Sequence, residues 1–279
     1  MLDKKVRVKE IQHLGGPNYL LTLTSPEQAR LVQPGQFVML KCSGDIGGEP
    51  LLRRPFSVFD VRRQPVSGKP AGIALLVKDV GSGSHWLCRL RRGEHVWMLG
   101  PQGRPFRVGP DAGTRVNVAC LVAGGVGIAA LYILAGRLAS AGATPVLFYG
   151  GRSADDLVLR EHFERAGFQT HYATEDGSLG HRGVVTGALE PFVARRPPAD
   201  TGIFACGPWA MMKAAHELAV RHRMRCEVSL EARMGCSLGA CMGCVVRTLD
   251  RDGEEQYQRV CLEGPVMESR NVDWETYPL

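Results

Sequence analysis

Four cysteines crowd the C-terminal part of the chain: Cys236, Cys241 after four intervening residues, Cys244 after two, and Cys261 after sixteen. This is the plant-type C-x4-C-x2-C…C spacing by which thiolates hold a [2Fe-2S] cluster. Around the first three stand Gly235, Ser237, Gly239, Ala240 and Gly243, small enough for a loop to wrap tightly and aim backbone N–H groups at sulfur. A structural zinc also takes four thiolates, although zinc sites more often use two close pairs. A zinc-stapled binding module is therefore the alternative of another class. The remaining five cysteines, Cys42, Cys88, Cys120, Cys206 and Cys226, are scattered and read as small core residues.

A second constellation pairs an arginine with a hydroxyl. Leu51 to Val58, with Arg54, Pro55, Phe56 and Ser57 at its centre, resembles the Arg-x-x-Ser flavin signature of the ferredoxin-NADP reductase superfamily. An arginine clamps a diphosphate bidentately, and a nearby hydroxyl can donate to the isoalloxazine. Pro34-Gly35-Gln36-Phe37 and Gly100-Pro101-Gln102-Gly103 resemble that superfamily's entry to and exit from the flavin barrel. The resemblance implies that Leu76, Val77, Lys78, Gly83 and Ser84 hold the pyrophosphate of FAD. Gly83 would offer a backbone donor and Ser84, where relatives commonly have threonine, a hydroxyl.

Gly124, Gly125 and Gly127 form a glycine turn between an apolar strand and a helix, where a dinucleotide can approach the backbone. About eighty residues on, Cys206, Gly207 and Pro208 follow another strand, and in the resembling superfamily this tripeptide lies beside the nicotinamide and flavin. The order of the two motifs favours a nicotinamide site, and the family likeness implies NAD. Asp155 and Asp156 argue for NAD and Arg152 for NADP, so the preference between the two stays open.

These residues need three supports. Short strands at Val6 to Val8, Tyr19 to Thr24, Gln36 to Leu40, Phe56 to Val61, Ile73 to Val77 and His95 to Leu99, divided by Gly/Pro turns, predict an antiparallel β-barrel FAD domain over 1–108. Gly109 to Thr114 reads as a linker. Alternating strands and helices, with a helix from Ile128 to Ser140, predict an α/β parallel-sheet nucleotide domain over 115–223. The last part, 225–279, is too short for a large core and reads as a small [2Fe-2S] domain stapled by its cluster, with Cys261 supplied from a neighbouring strand.

Composition excludes other classes. With 44% hydrophobic and 22% charged residues the chain is ordinary for a globular protein. The 34 basic and 28 acidic residues are dispersed and only 7% are aromatic, which argues against nucleic-acid binding. Val116 to Gly136 is long and apolar, yet its central glycines divide it into strand, turn and helix rather than one membrane span. The opening MLDKKVRVKEIQHL lacks the apolar core of a secretory signal, and nine cysteines is an odd count for a disulfide framework, so a reducing cytoplasm is expected.

Thr174 to Ser178, Gly183 to Thr186, Glu231 to Cys236 and Val260 to Val266 together resemble the electron-transfer subunits of dihydroorotate dehydrogenase over nearly the whole chain. That resemblance implies a hetero-oligomer with an FMN-containing dihydroorotate dehydrogenase catalytic subunit of pyrimidine biosynthesis, and electron flow from FMN through [2Fe-2S] and FAD to NAD+. All three regions are committed to cofactors, so no acid–base catalytic residue is expected here. The small subunit of an NADH-dependent ferredoxin:NADP oxidoreductase, or a related hydrogenase or sulfite reductase subunit, is the redox alternative.

Overall fold

Two-residue alternation builds the first unit. In the computed structural model, which describes residues 2–44, 48–109, 116–250 and 252–276, β1 (Leu2–Gly15), β2 (Asn18–Thr24), β3 (Phe37–Leu40), β4 (Arg54–Arg63), β5 (Pro70–Lys78) and β6 (His95–Gln102) close into a barrel. Their order is β1-β2-β5-β4-β3-β6, with antiparallel neighbours. Val6, Val8, Leu21, Leu23, Leu75 and Val77 fill the interior, while Lys5, Arg7 and Lys9 alternate outward. β1 runs well past the expected Val6 to Val8. After a register shift at Val8 it continues to Gly15 beside β2, and Leu14 at its far end packs against the second unit's core.

Two short helices of this unit carry no periodicity in the sequence. Pro26 pre-forms the first turn of α1 (Pro26–Leu31). The helix is held by Gln28, whose fully buried amide donates to the carbonyls of Met98 at 3.0 Å and Gly100 at 3.1 Å. The turn at Gly81 leads into α2 (Ser82–Cys88).

The second unit is a seven-stranded sheet. β7 (Val118–Gly124), β8 (Thr144–Gly151), β9 (Gln169–Thr174), β10 (His181–Arg182), β11 (Thr201–Cys206) and β12 (Arg225–Ser229) pair in parallel in the order β10-β9-β8-β7-β11-β12. α3 (Tyr132–Ser140), α4 (Arg160–Arg165), α5 (Val185–Val193) and α6 (Trp209–Arg221) join them. β11 is buried along its whole length, as a strand covered on both faces must be. Among the described residues no helix is long and apolar enough to cross a membrane.

The expected helix from Ile128 opens instead as a 3-10 turn over Gly125–Ala130 and becomes α-helical at Tyr132. Close backbone packing explains the change. A Cβ on Gly127 would lie 2.1 Å from the Cys206 carbonyl oxygen, so the glycine turn rests directly on the Cys206-Gly207-Pro208 turn.

β13 (Val245–Leu249) and β14 (Glu255–Arg259) form a hairpin, and β15 (Val266–Glu268) adds antiparallel to β12. The C-terminal segment therefore joins the nucleotide sheet. β12, grouped by a boundary at 225 with the cluster unit, is a parallel member of that sheet. Most of the Gly109 to Thr114 linker lies outside the described residues, as do Met1, Gly47, Arg115 and the last three residues of the 225–279 unit.

Glu227 on β12, 1% exposed, binds the units together. It accepts from Arg107 just beyond the barrel, through the backbone N–H at 3.2 Å and Nε at 2.5 Å, and from Arg225 at 2.8 Å. Arg107 also reaches Glu268 on β15 at 2.6 Å. A further contact between the two units is Phe59 of β4, which stacks on Tyr132 of α3 at 4.8 Å.

Replacing Glu227 with alanine removes the carboxylate shared by two arginines. Half of Arg107 stays in water, so the expected loss is about 3 kcal/mol, the low end for a broken buried pair, read as a lowered denaturation midpoint with Glu227→Gln between the two. Gly127→Ala, which drives a methyl into the Cys206 carbonyl, should cost about 2 kcal/mol by overpacking; calorimetry showing no loss would contradict the packing described.

Candidate functional site

A cavity of about 840 Å³ lies where the three units meet. Arg54, Pro55, Phe56 and Ser57 of β4, with Leu76 and Lys78 of β5, form its barrel wall. Val126 and Ala129 of the glycine turn close a second side, and Gly235 and Gly243 of the cysteine loop a third. Val77 does not line it, because strand alternation turns that side chain into the barrel core. Apolar and aromatic walls including Phe37, Phe56, Leu76 and Met234, with the cations Arg54, Lys78 and Arg233, suit a planar ring system carrying a diphosphate. FAD fits this donor set.

The Arg54 guanidinium donates to the Leu52 carbonyl at 2.8 Å and the Arg53 carbonyl at 3.3 Å, which leaves further N–H groups for a phosphate. Gly83 lies against it: a Cβ there would stand 3.4 Å from Arg54 Cγ. Ser84 departs from the expected role. Its hydroxyl donates to the Gly81 carbonyl at 3.0 Å and accepts from the backbone of Val80 and Gly81 at 2.9 and 3.1 Å. The hydroxyl's single proton is thus spent within the turn, and a phosphate here would meet backbone N–H groups.

The cysteine loop is wound by left-handed residues: Ser237 at φ +57°, Gly239 at +78° and Met242 at +55°. Winding aims the backbone at sulfur. Leu238 and Cys241 donate N–H groups to Cys236 Sγ at 3.3 and 3.4 Å, and Gly243 donates to Cys241 Sγ at 3.5 Å. These N–H groups pull the Cys236 thiol down to about 6, toward the thiolate that iron requires. Burial, followed by the neighbouring Cys244, pushes Cys261 up to about 12. Cys261 sits in the turn after β14 rather than on a strand.

Cys241 lies close enough to Cys236, and Cys244 and Cys236 close enough to Cys261, to bear on their ionisation, so the loop and the turn bring the four thiols to one site. Among the described residues no three His, Cys, Asp or Glu side chains close on a single ion. Three cysteines on one tightly wound loop with a fourth on a separate turn suit a [2Fe-2S] cluster. The barrel holds this loop in place: Gln102 at the end of β6 donates to the Ser237 carbonyl at 3.1 Å.

Gly124 and Gly127 meet Cys206, Gly207 and Pro208 at the carboxyl ends of β7 and β11, where an open parallel sheet receives dinucleotides, while Gly125 between them faces open space at φ +52°. Cys206 is fully buried. Desolvation, then the charge of Glu231, raises its pKa far above that of a free thiol, so it packs as a neutral group. At the end of β8, Arg152 is held by Asp156, which accepts from its backbone N–H at 3.1 Å and its Nε at 3.2 Å. Burial raises the Asp156 pKa, but these donors outweigh it and hold the carboxyl below its usual range.

Glu231, which enters the sequence reading only as the first residue of the Glu231 to Cys236 segment, lies in the cavity wall. It is the only carboxylate among the described residues lining the cavity, and although it is exposed toward that space, the protein around it desolvates the carboxyl and raises its pKa. A lone acid five residues before the first cysteine was the available signal. Only the fold reveals that it lines the cavity and lies close enough to Cys206 for its charge to act there.

Comparison with known proteins agrees with this geometry. The iron-sulfur cluster binding domain of dihydroorotate dehydrogenase B matches residues 231–273, and the oxidoreductase NAD-binding domain matches residues 121–217. The dihydroorotate dehydrogenase B (NAD(+)) electron transfer subunit of Desulforamulus reducens is 37% identical over 94% of this chain and 95% of its own length. The electron transfer subunit homolog of Aquifex aeolicus is 35% identical over 98% and 99%. A solved chain of NADH-dependent reduced ferredoxin-NADP oxidoreductase superposes with a TM-score of 0.81 at 28% identity, covering 97% of this chain and 90% of that one. Phthalate dioxygenase reductase, at a TM-score of 0.61, 16% identity and coverage of 93% and 77%, shares the fold. The chain belongs to the family of dihydroorotate dehydrogenase B electron transfer subunits.

Proposed function

We propose that the chain carries electrons from an FMN-containing dihydroorotate dehydrogenase catalytic subunit, through [2Fe-2S] and FAD, to NAD+ in pyrimidine biosynthesis. One observation carries the reading: a single cavity is walled by the flavin motif, the nucleotide turn and the cysteine loop. Cys236, Cys241, Cys244 and Cys261 would hold the cluster. Arg54, Pro55, Phe56, Ser57, Leu76, Lys78 and the backbone at Val77, Gly83 and Ser84 would hold FAD, while Gly124, Gly125, Gly127, Cys206, Gly207 and Pro208 would receive NAD. When bound, the cluster and FAD supply the exchange between one-electron and two-electron transfer.

The chain's own residues orient and shield. Val126 and Ala129 bring the nucleotide turn to the cavity, the neutral Cys206 packs beneath it, and the pairing of Arg152 with Asp156 disfavours a 2′-phosphate. A partner subunit is supported at the cysteine loop, where exposed Cys241 is surrounded by exposed Leu238, Met242 and Leu262. The cytoplasm is the proposed location, consistent with nine free cysteines. A second reading, the small subunit of an NADH-dependent ferredoxin:NADP oxidoreductase, rests on the solved structure of that enzyme; recovery of the native partner decides between them.

Purified protein should show flavin and iron–sulfur absorption, and dihydroorotate should bleach it only when the catalytic subunit is added. In Cys241→Ser, NADH should still reduce the flavin while partner-dependent NADH formation falls by more than about 100-fold, beyond the loss seen on removing an outer-shell contact. Unchanged partner-dependent turnover would sink the proposal. Arg54→Ala, losing a charged hydrogen-bond donor of about 2 kcal/mol, should bind FAD about 30-fold more weakly in a calorimetric titration.

A further inference from the structure

Arg259 stands between the two halves of the cysteine site. Its Nη1 donates to the Gly239 carbonyl at 2.9 Å, inside the loop of three cysteines. Its Nε and Nη2 donate to Glu263 at 3.1 and 2.6 Å, two residues beyond Cys261, and its backbone N–H reaches the same carboxylate at 2.7 Å. The guanidinium also lies close enough to Cys261 and Cys244 to interact with both electrostatically. On the loop side the fit is close: a Cβ on Gly239 would stand 3.3 Å from Nη1 and 2.2 Å from Leu262 Cδ1.

A partly exposed Arg–Glu pair by itself adds little stability. What distinguishes this one is that a single planar fork spans both sequence segments that supply ligands. Lysine could not do this, because a point charge on a flexible stem lacks the fixed set of donors.

We propose that Arg259 is a positioning residue for the cluster: its fork ties the 236–244 loop to the turn bearing Cys261, Glu263 sets its direction, and its permanent charge beside the thiolates favours the reduced state. Nearby charge and hydrogen bonding are the terms by which a protein sets such a potential. The inference rests on the iron–sulfur reading above, and the two fail differently. Absence of the cluster from wild-type protein removes that reading, whereas the variants below test Arg259 alone.

The full chain is compared as wild type, Arg259→Met and Arg259→Lys, following bleaching of cluster absorption by an iron chelator and the midpoint potential by spectroelectrochemical titration. Arg259→Met should lose its cluster about tenfold faster, and its potential should fall by about 59 mV, a tenfold change in the one-electron equilibrium. Arg259→Lys keeps the charge and loses the fork, so its potential should return to the wild-type value while cluster loss stays fast. An unchanged potential in Arg259→Met, or wild-type chelator resistance in Arg259→Lys, overturns the proposal. If Arg259→Met does not fold, the lysine variant decides alone by the same two readings.

Discussion

Sulfurs gathered to hold a metal cluster would concentrate negative charge, and the loop supplies its own backbone to counter it. Leu238, Cys241 and Gly243 do so by turning N–H groups toward sulfur, which obliges Ser237, Gly239 and Met242 into left-handed conformations. A segment wound in this way forms no helix or strand and buries little apolar surface. It must lean on neighbours: Gln102 of β6 holds the Ser237 carbonyl, Leu230 donates to the Pro265 carbonyl at 2.8 Å, and Arg104 donates to the Gly264 carbonyl at 2.6 Å. The barrel and the sheet are thus conditions for the cysteine site.

The same requirement explains why the C-terminal segment enters the nucleotide sheet. β15 on β12, with Glu227 and Glu268 sharing Arg107, fixes the strand after Cys261 against the strand that leads into Cys236. Both ends of the cysteine segment are therefore anchored in one sheet. The barrel reaches that anchor through Arg107, so the three units cannot shift independently without breaking a buried charged contact.

What could be read from the sequence was what depends on short-range pattern. Alternation gave the barrel strands, a switch in periodicity gave the β7–α3 turn, and spacing alone singled out the four cysteines. Elements stabilised by distant partners could not be read that way. α1 exists because Gln28 finds the carbonyls of Met98 and Gly100, some seventy residues away. Composition changes at Arg225 whereas hydrogen bonding does not, so β12's place in the nucleotide sheet shows only in its pairing with β11, and Glu231 looks unremarkable until β12 delivers it to the cavity. The Ser84 hydroxyl shows a subtler limit, since residue type reveals that a donor exists but not whether its own turn uses it.

Charge balance around the cavity follows from these placements. Arg54, Lys78 and Arg233 line it against the single carboxylate of Glu231, and desolvation drives that carboxylate toward its neutral form. The space therefore stays attractive to a diphosphate. The Cys241 sulfur lies behind Gly235 and Gly243, residues without side chains that give a thin wall without adding charge or bulk. Cys206, packed against the glycine turn, is held neutral by burial and adds no competing anion. The cavity is thereby suited to an anionic cofactor, and Cys236, the thiol drawn toward ionisation, already has the N–H groups of Leu238 and Cys241 turned toward it.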